Sequence, residues 1–302
     1  MSCLRIDRAV TLGLAQPTQR ILGAYHVSRI PVLMYHGIRS VTGFSHPYFE
    51  TNTSPNVFAR HMNHLREGGY KPVDLNTAAR MINSGTCSQN SVVITFDDGF
   101  RDFYTHALPI LQEHQFPATM FVVSGFVGSQ PTSFEDKEFM SWGEMREIES
   151  LGITIGSHTV SHPRLHSLPW KDIERELKES KQSIEDRLGQ PVSSFSHPYA
   201  FPEQDGIFLK QLRQYMEAAG YDHGVTTVIG GISRHSDQYF LPRLPSNEYD
   251  DDELFQAKLK GSYDWLHTPQ LIYKFIRNRS RNRAQGFFPK EQDKKHKLAT
   301  EL

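Results

Sequence analysis

Cysteine is scarce: Cys3 and Cys87 are the only two in 302 residues, too few for a disulfide framework. They could pair only if the fold brought them together. Charge of one sign is missing too. The 33 Lys and Arg against 34 Asp and Glu leave a formal net charge of −1, which gives no whole-protein pull toward nucleic acid. No apolar run reaches the length of a membrane span. The opening "MSCLRIDRAVTLGLAQPTQR" has basic residues and a weakly apolar centre, but Gly13 interrupts it and no A-x-A-like site follows, so it does not read as a signal peptide. The simplest expectation is a soluble cytoplasmic protein, with weak contact to a membrane surface through either end left open. There is no internal repeat.

What is present suits a packed core. Hydrophobic residues make up 38% and aromatics 11%, enough for one large α/β domain or two small ones. Apolar runs such as "RIPVLMYHGI", "SVVITF", "PATMFVVSGFV", "ITIGSHT", "VSSFSHPYA", "HGVTTVIG" and "QYFLPRL" read as strands. Between them lie helical patterns: "SPNVFARHMNHLREGGY", capped by Ser54 or Asn56; "DFYTHALPILQEHQ", with a kink or break at Pro109; "SWGEMREIESLG"; and "PWKDIERELKESKQSIEDRLG", with Ile173, Leu177, Ile184 and Leu188 on one side. Strands alternating with long helices predict a parallel α/β architecture, and this many alternations fit a barrel better than a small doubly wound sheet. Residues 1–29 read as a lead segment, 30–270 as a single catalytic domain and 271–302 as a basic, flexible tail.

Active sites of parallel barrels lie at the carboxyl ends of the strands. "ITFDDGF" places Asp97 and Asp98 there, followed by Gly99, whose conformational freedom would let two neighbouring acids converge on one pocket. D-D-G is also ordinary turn chemistry, so both readings stand at this point. "GSHTVSHP" places His158 and His162 four apart after another strand. On a helical turn capped by Ser157 they would share a face and could bind one metal. His166 continues the spacing beyond Pro163 and reads as a surface or supporting residue. His36 ends a third strand, where a hydrogen-bonded structural role is the bland alternative. In "FSHPYA", Pro198 constrains His197, and the loop could turn the Tyr199 N–H toward a reacting oxygen. Arg243, a cation in the apolar "FLPRL", needs a buried partner, for which a catalytic carboxylate is one candidate.

Together these segments, from about Ile30 to Leu244, resemble the polysaccharide deacetylases of carbohydrate esterase family four, and in particular the branch with the poly-N-acetylglucosamine deacetylases. "TFDDGF" is similar to the family's aspartate pair, and His158-Thr159-Val160-Ser161-His162 to its H-[ST]-x-x-H motif. The resemblance implies a distorted parallel β/α barrel and a metal-dependent hydrolase acting on N-acetylhexosamine units of a polysaccharide or its precursor. It also implies roles. Asp98, His158 and His162 would hold a divalent metal: Zn²⁺ suits the donors, as do Co²⁺, Ni²⁺ and Mn²⁺. Asp97 would be the base that activates water, His36 the acid, and the Tyr199 N–H a donor to the oxyanion. The chain departs from the family pattern at Ser196, where an arginine that tethers the aspartate is usual, and at Ala200, where glycine is usual. Arg243 could supply the missing cation. "WLH", Trp265 to His267, only loosely resembles the late L-x-H motif of the unpermuted branch, an absence expected if His36 is the acid. Trp142 and Tyr199 could stack on a sugar ring or simply pack. The other readings are a related hydrolase of O-acetyl esters or small amides and imides, and a carbohydrate-binding relic without turnover.

Overall fold

The structure, a computed structural model, describes residues 5–21, 29–41, 46–86, 90–129 and 137–272. Cys3, Cys87 and most of the basic tail lie outside them. Seven strands form the frame: β1 (Arg29–Tyr35), β2 (Ser91–Phe96), β3 (Ala118–Val122), β4 (Ile153–Ser157), β5 (Ser194–Ser196), β6 (His223–Ile229) and β7 (Leu241–Pro245). Each is parallel to its neighbours, in the order β1-β7-β6-β5-β4-β3-β2, and β1 then pairs with β2 to close the ring. The expected barrel is therefore present. Its distortion is visible in β7, whose register on β6 shifts between Leu241 and Arg243.

Strands buried on both faces read as continuous apolar runs rather than alternating ones. β1, β2 and β3 do so: Ile30, Val32, Leu33, Val92, Val93, Ile94, Met120 and Phe121 are all fully buried. Outside the ring lie α1 (Pro55–Glu67), α2 (Leu75–Ser84), α3 (Leu108–His114), α4 (Trp142–Ser150), α5 (Trp170–Leu188), α6 (Gly206–Ala218) and α7 (Asp252–Leu259). Their ends follow capping chemistry. Ser54, not Asn56, caps α1 by accepting from the Val57 N–H, and Ser141 and Glu144 form a reciprocal capping box on α4. The break expected at Pro109 is a wide turn over Phe103–Ala107, after which α3 restarts with Pro109 in its first turn, where a missing N–H costs nothing.

The strands expected in "VSSFSHPYA" and "QYFLPRL" shorten to Ser194–Ser196 and Leu241–Pro245, because Pro198 and the loop after Asp237 take their ends out of the ladder. The lead segment is helical from Ile6 to Ile21. It docks through Arg5, whose guanidinium donates to the Tyr249 carbonyl at 2.7 Å, while Tyr263 donates to Asp7 at 2.8 Å. Contacts divide the chain into one unit of Met1–Trp265 and another of Leu266–Leu302, of which 266–272 are described. Among the described residues no helix is long and apolar enough to cross a membrane.

Candidate active site

Parallel pairing of β1 with β2 sets Tyr35 opposite Phe96, so His36 and Asp97 leave the barrel rim side by side. The Asp97 N–H still donates to the Tyr35 carbonyl at 3.0 Å. Alternation then ends: Asp98 and Gly99 both take left-handed backbone, with φ of 77° and 83°. This is what lets two adjacent carboxylates face one cleft. The conformation was expected at Gly99; Asp98 adopts it as well, Asp being among the few non-glycine residues that visit this region.

Arg243 fills the barrel interior below Asp97. It is fully buried, and all five of its N–H donors have acceptors. Nη1 donates to Asp97 Oδ1 at 2.8 Å and to Thr95 Oγ1 at 3.2 Å. Nη2 donates to Asp97 Oδ2 at 2.7 Å and to Ser196 Oγ at 3.0 Å, and Nε to the Thr226 carbonyl at 3.0 Å. Three strands thus supply acceptors to one guanidinium carried by a fourth. Burial alone would raise the Asp97 carboxyl, but Arg243, helped by His158 and His36, holds it well below the usual carboxylate range. Ser196, where an arginine was expected, contributes a small hydroxyl against the guanidinium that arrives from β7.

Asp98 is treated differently. Its Oδ1 is buried without a hydrogen-bond partner. The Nε2 atoms of His158 and His162 each stand 3.5 Å from it, too far for a good hydrogen bond. One donor atom from each of the three side chains lies within 4.8 Å of the others. Tetrahedral bonds of the length zinc makes to N and O would set donors roughly 3.3 Å apart, so the set fits a shared cation. His158 Nδ1 lies 2.7 Å from the Ser196 carbonyl; a carbonyl only accepts, so Nδ1 carries a proton and Nε2 is the ring nitrogen turned toward Asp98. Burial works against charge at Asp98, yet His158, His36 and His162 outweigh it and lower its carboxyl. Burial, then the neighbouring His158, pushes His162 down to about 4, the neutral form a metal ligand needs.

The histidine pair does not lie on a helical turn. Thr159 and His162 take left-handed backbone, with φ of 70° and 53°, and no helix forms between them. Ser157 is not a cap; its hydroxyl donates to Ser180 Oγ at 2.8 Å. The loop is instead held by α5, through Glu176 and Ser180. Sequence reasoning missed both. Their signal was a Glu and a Ser among the core-facing positions Ile173, Leu177 and Ile184.

Around this centre, His36 is 22% exposed and its Nε2 lies 3.9 Å from Asp97 Oδ2. Burial lowers its pKa against the pull of Asp98 and Asp97. The Tyr199 ring packs 4.6 Å from that of His162, on left-handed backbone with φ of 59°, and is 42% exposed. Trp142 packs beneath Arg187 of α5 at 5.8 Å, in the helical layer. His166 is exposed. Lys137, unremarked in the sequence, rests its ammonium 3.8 Å from the Phe100 ring, beside the aspartate turn.

A closed parallel barrel with carboxylates and imidazoles gathered at its carboxyl rim is the frame of a hydrolase, and comparison with known proteins narrows the class. Residues 84–224 match the family described as polysaccharide deacetylase. Over 218 residues the chain is 30% identical to the Bacillus subtilis (strain 168) protein YxkH, named as a polysaccharide deacetylase, covering 72% of this chain and 71% of that one. The chain belongs to the polysaccharide deacetylase family and is a deacetylating hydrolase. It is also 24% identical over 192 residues to a poly-beta-1,6-N-acetyl-D-glucosamine N-deacetylase of Staphylococcus aureus (strain MRSA252), covering 61% of this chain and 62% of that protein. Two solved structures share the fold. The deacetylase PplD of Streptococcus pyogenes, in complex with acetate, has a TM-score of 0.66 at 24% identity over 76% of this chain and 98% of that one. IcaB of Ammonifex degensii has 0.64 at 21% identity, over 78% and 97%.

Proposed function

We propose that the protein removes N-acetyl groups from N-acetylhexosamine units of a polysaccharide or its precursor, with a divalent cation held by Asp98, His158 and His162. The observation that carries this reading is the orphaned Asp98 Oδ1 facing two imidazole Nε2 atoms beside a second carboxylate that is already paired. A cation there supplies Lewis acidity, polarising the acetamide carbonyl and drawing the pKa of water from 15.7 toward roughly 7. The remaining tasks fall to the chain. Asp97 takes the proton of the attacking water. Arg243 keeps that carboxylate ionised and aimed, at some cost in basicity, because a strongly paired carboxylate is a weaker base. The Tyr199 N–H donates to the oxygen that becomes the oxyanion.

His36 delivers a proton to the leaving nitrogen. Its Nε2 stands 3.9 Å from Asp97 Oδ2, so the proton taken from water has a short route to the amine. Water and acetamide become acetate and amine, with no proton unaccounted for. An acid at this place favours an amide over an ester, since an amine leaves poorly unless protonated. The part-exposed Tyr199 ring packs against His162 and carries the Arg164 guanidinium 4.6 Å from its centroid.

Acetate release from chitooligosaccharides and other defined N-acetylated glycans, set against O-acetyl xylan and small cyclic imides, tests the reading. Faster turnover of the N-acetyl substrates is expected. Turnover confined to esters or imides overturns the substrate class, and no turnover of any by metal-loaded protein favours a binding relic.

A further inference from the structure

The five residues from His158 to His162 carry two of the three metal-binding side chains, yet no regular element holds them. Two of the five, Thr159 and His162, take left-handed backbone, and for a β-branched residue such as Thr159 this is a genuine outlier. A strained segment keeps one conformation only when its surroundings over-determine it. Neighbouring segments and the loop itself supply several of its bonds. The Ser124 N–H donates to the Thr159 carbonyl at 3.0 Å and the Gly125 N–H to the Val160 carbonyl at 3.0 Å. A Cβ at Gly125 would lie 2.6 Å from that carbonyl oxygen, so only glycine permits the approach. The His162 N–H is taken by Thr159 Oγ1 at 3.0 Å.

The two N–H groups at the crest meet one side chain. Glu176 Oε2 accepts from Val160 N at 2.8 Å and from Ser161 N at 3.0 Å, while Oε1 accepts from Ser161 Oγ at 2.7 Å. Glu176 is 5% exposed and comes from the core-facing side of α5. One turn further on, Ser180 donates to the Thr159 carbonyl at 3.0 Å, tying the same helix to the loop's other end.

We propose that Glu176 is a positioning residue for metal binding: by gathering three donors of the 160–161 segment, it holds His162 opposite Asp98 and His158 before any ion arrives. The proposal rests on the metal reading above and adds to it the origin of the site's pre-organisation. It explains why an ionisable side chain occupies a helix position that would otherwise take an apolar residue. It also predicts which replacement is tolerated. A Gln could accept both N–H groups through its carbonyl and donate to Ser161 Oγ through its amide, whereas Ala leaves both N–H groups unpaired.

The test is Zn²⁺ affinity, by chelator competition, of wild-type protein, Glu176→Ala and Glu176→Gln, alongside the thermal midpoint of each in chelator. The expected result is an affinity loss of about 10- to 100-fold for Glu176→Ala, as for other groups that orient metal ligands, with Glu176→Gln within about threefold of wild type. Wild-type affinity in Glu176→Ala, whatever its thermal midpoint, overturns the proposal and leaves a structural role only. Should Glu176→Ala not fold, amide exchange of chelator-treated wild-type protein decides: slow exchange at Val160 and Ser161 supports the clamp, and fast exchange overturns it. A wild-type protein that binds no Zn²⁺, Co²⁺, Ni²⁺ or Mn²⁺ overturns the metal reading itself, a distinguishable failure.

Discussion

Asp97 and Asp98 are neighbours in the chain, equally removed from water, and opposite in how the fold treats them. Asp97 meets a guanidinium with both oxygens, and every donor of that guanidinium is used. Asp98 keeps one oxygen without a partner, with two imidazole Nε2 atoms 3.5 Å away. A buried charge without compensation is expensive; one half of the site carries its counter-ion in the chain, and on the proposed reading the other would take it from solution. The proposed mechanism assigns the first to proton transfer and the second to coordination.

Several substitutions would break that contrast. The largest effect is expected for Asp98→Ala, which removes the anionic ligand. Acetate release should fall at least about 10³-fold, since the cation is worth several kcal/mol to the transition state, and metal content measured after dialysis should fall with it. Asp97→Asn should cost about 10²- to 10⁴-fold in turnover while metal content stays at the wild-type level. If both variants lose metal, the two carboxylates do not have separate tasks. Arg243→Met leaves Asp97 buried without its partner, and urea unfolding should show about 3–5 kcal/mol less stability. Adding Asp97→Asn to that background should recover part of the loss, because no bare charge remains.

A smaller effect sharpens the comparison through pH. His61 and His197, outside the metal set, are held neutral by burial, at about 4 and about 3. Their folded values lie below the unfolded value near 6.5, so the unfolded chain takes up protons first. Stability should therefore be full above about pH 6.5 and decline as pH falls toward 3–4, by at most about 1.4 kcal/mol per pH unit for each histidine. Below about pH 4 the lowered Asp97 carboxyl adds a loss in the same direction. A flat urea midpoint between pH 6.5 and 4.5 contradicts the buried neutral imidazoles.

Much of this was legible in the chain. Continuous apolar runs marked β1, β2 and β3, and Ser54 was readable as a cap of α1, because both signals are local. The aspartate turn and the histidine pair were readable as residue types at strand ends. The means by which His158 and His162 meet was not. Four-residue spacing suggested a helical turn, but Pro163 and the left-handed Thr159 and His162 give an irregular loop tied to a distant helix. Arg243 was legible as a cation needing a partner, while its placement against Ser196 depended on the register of β7, a non-local property. Glu176 and Lys137 act through tertiary contacts that no short motif encodes.

The most direct measurement is metal titration of chelator-stripped wild-type protein, with acetate release followed in the same samples. One equivalent of bound divalent cation should restore turnover in proportion to occupancy, and Asp98→Ala protein should neither bind it nor recover. Full acetate release from stripped protein, or binding that persists unchanged in Asp98→Ala, would contradict the account.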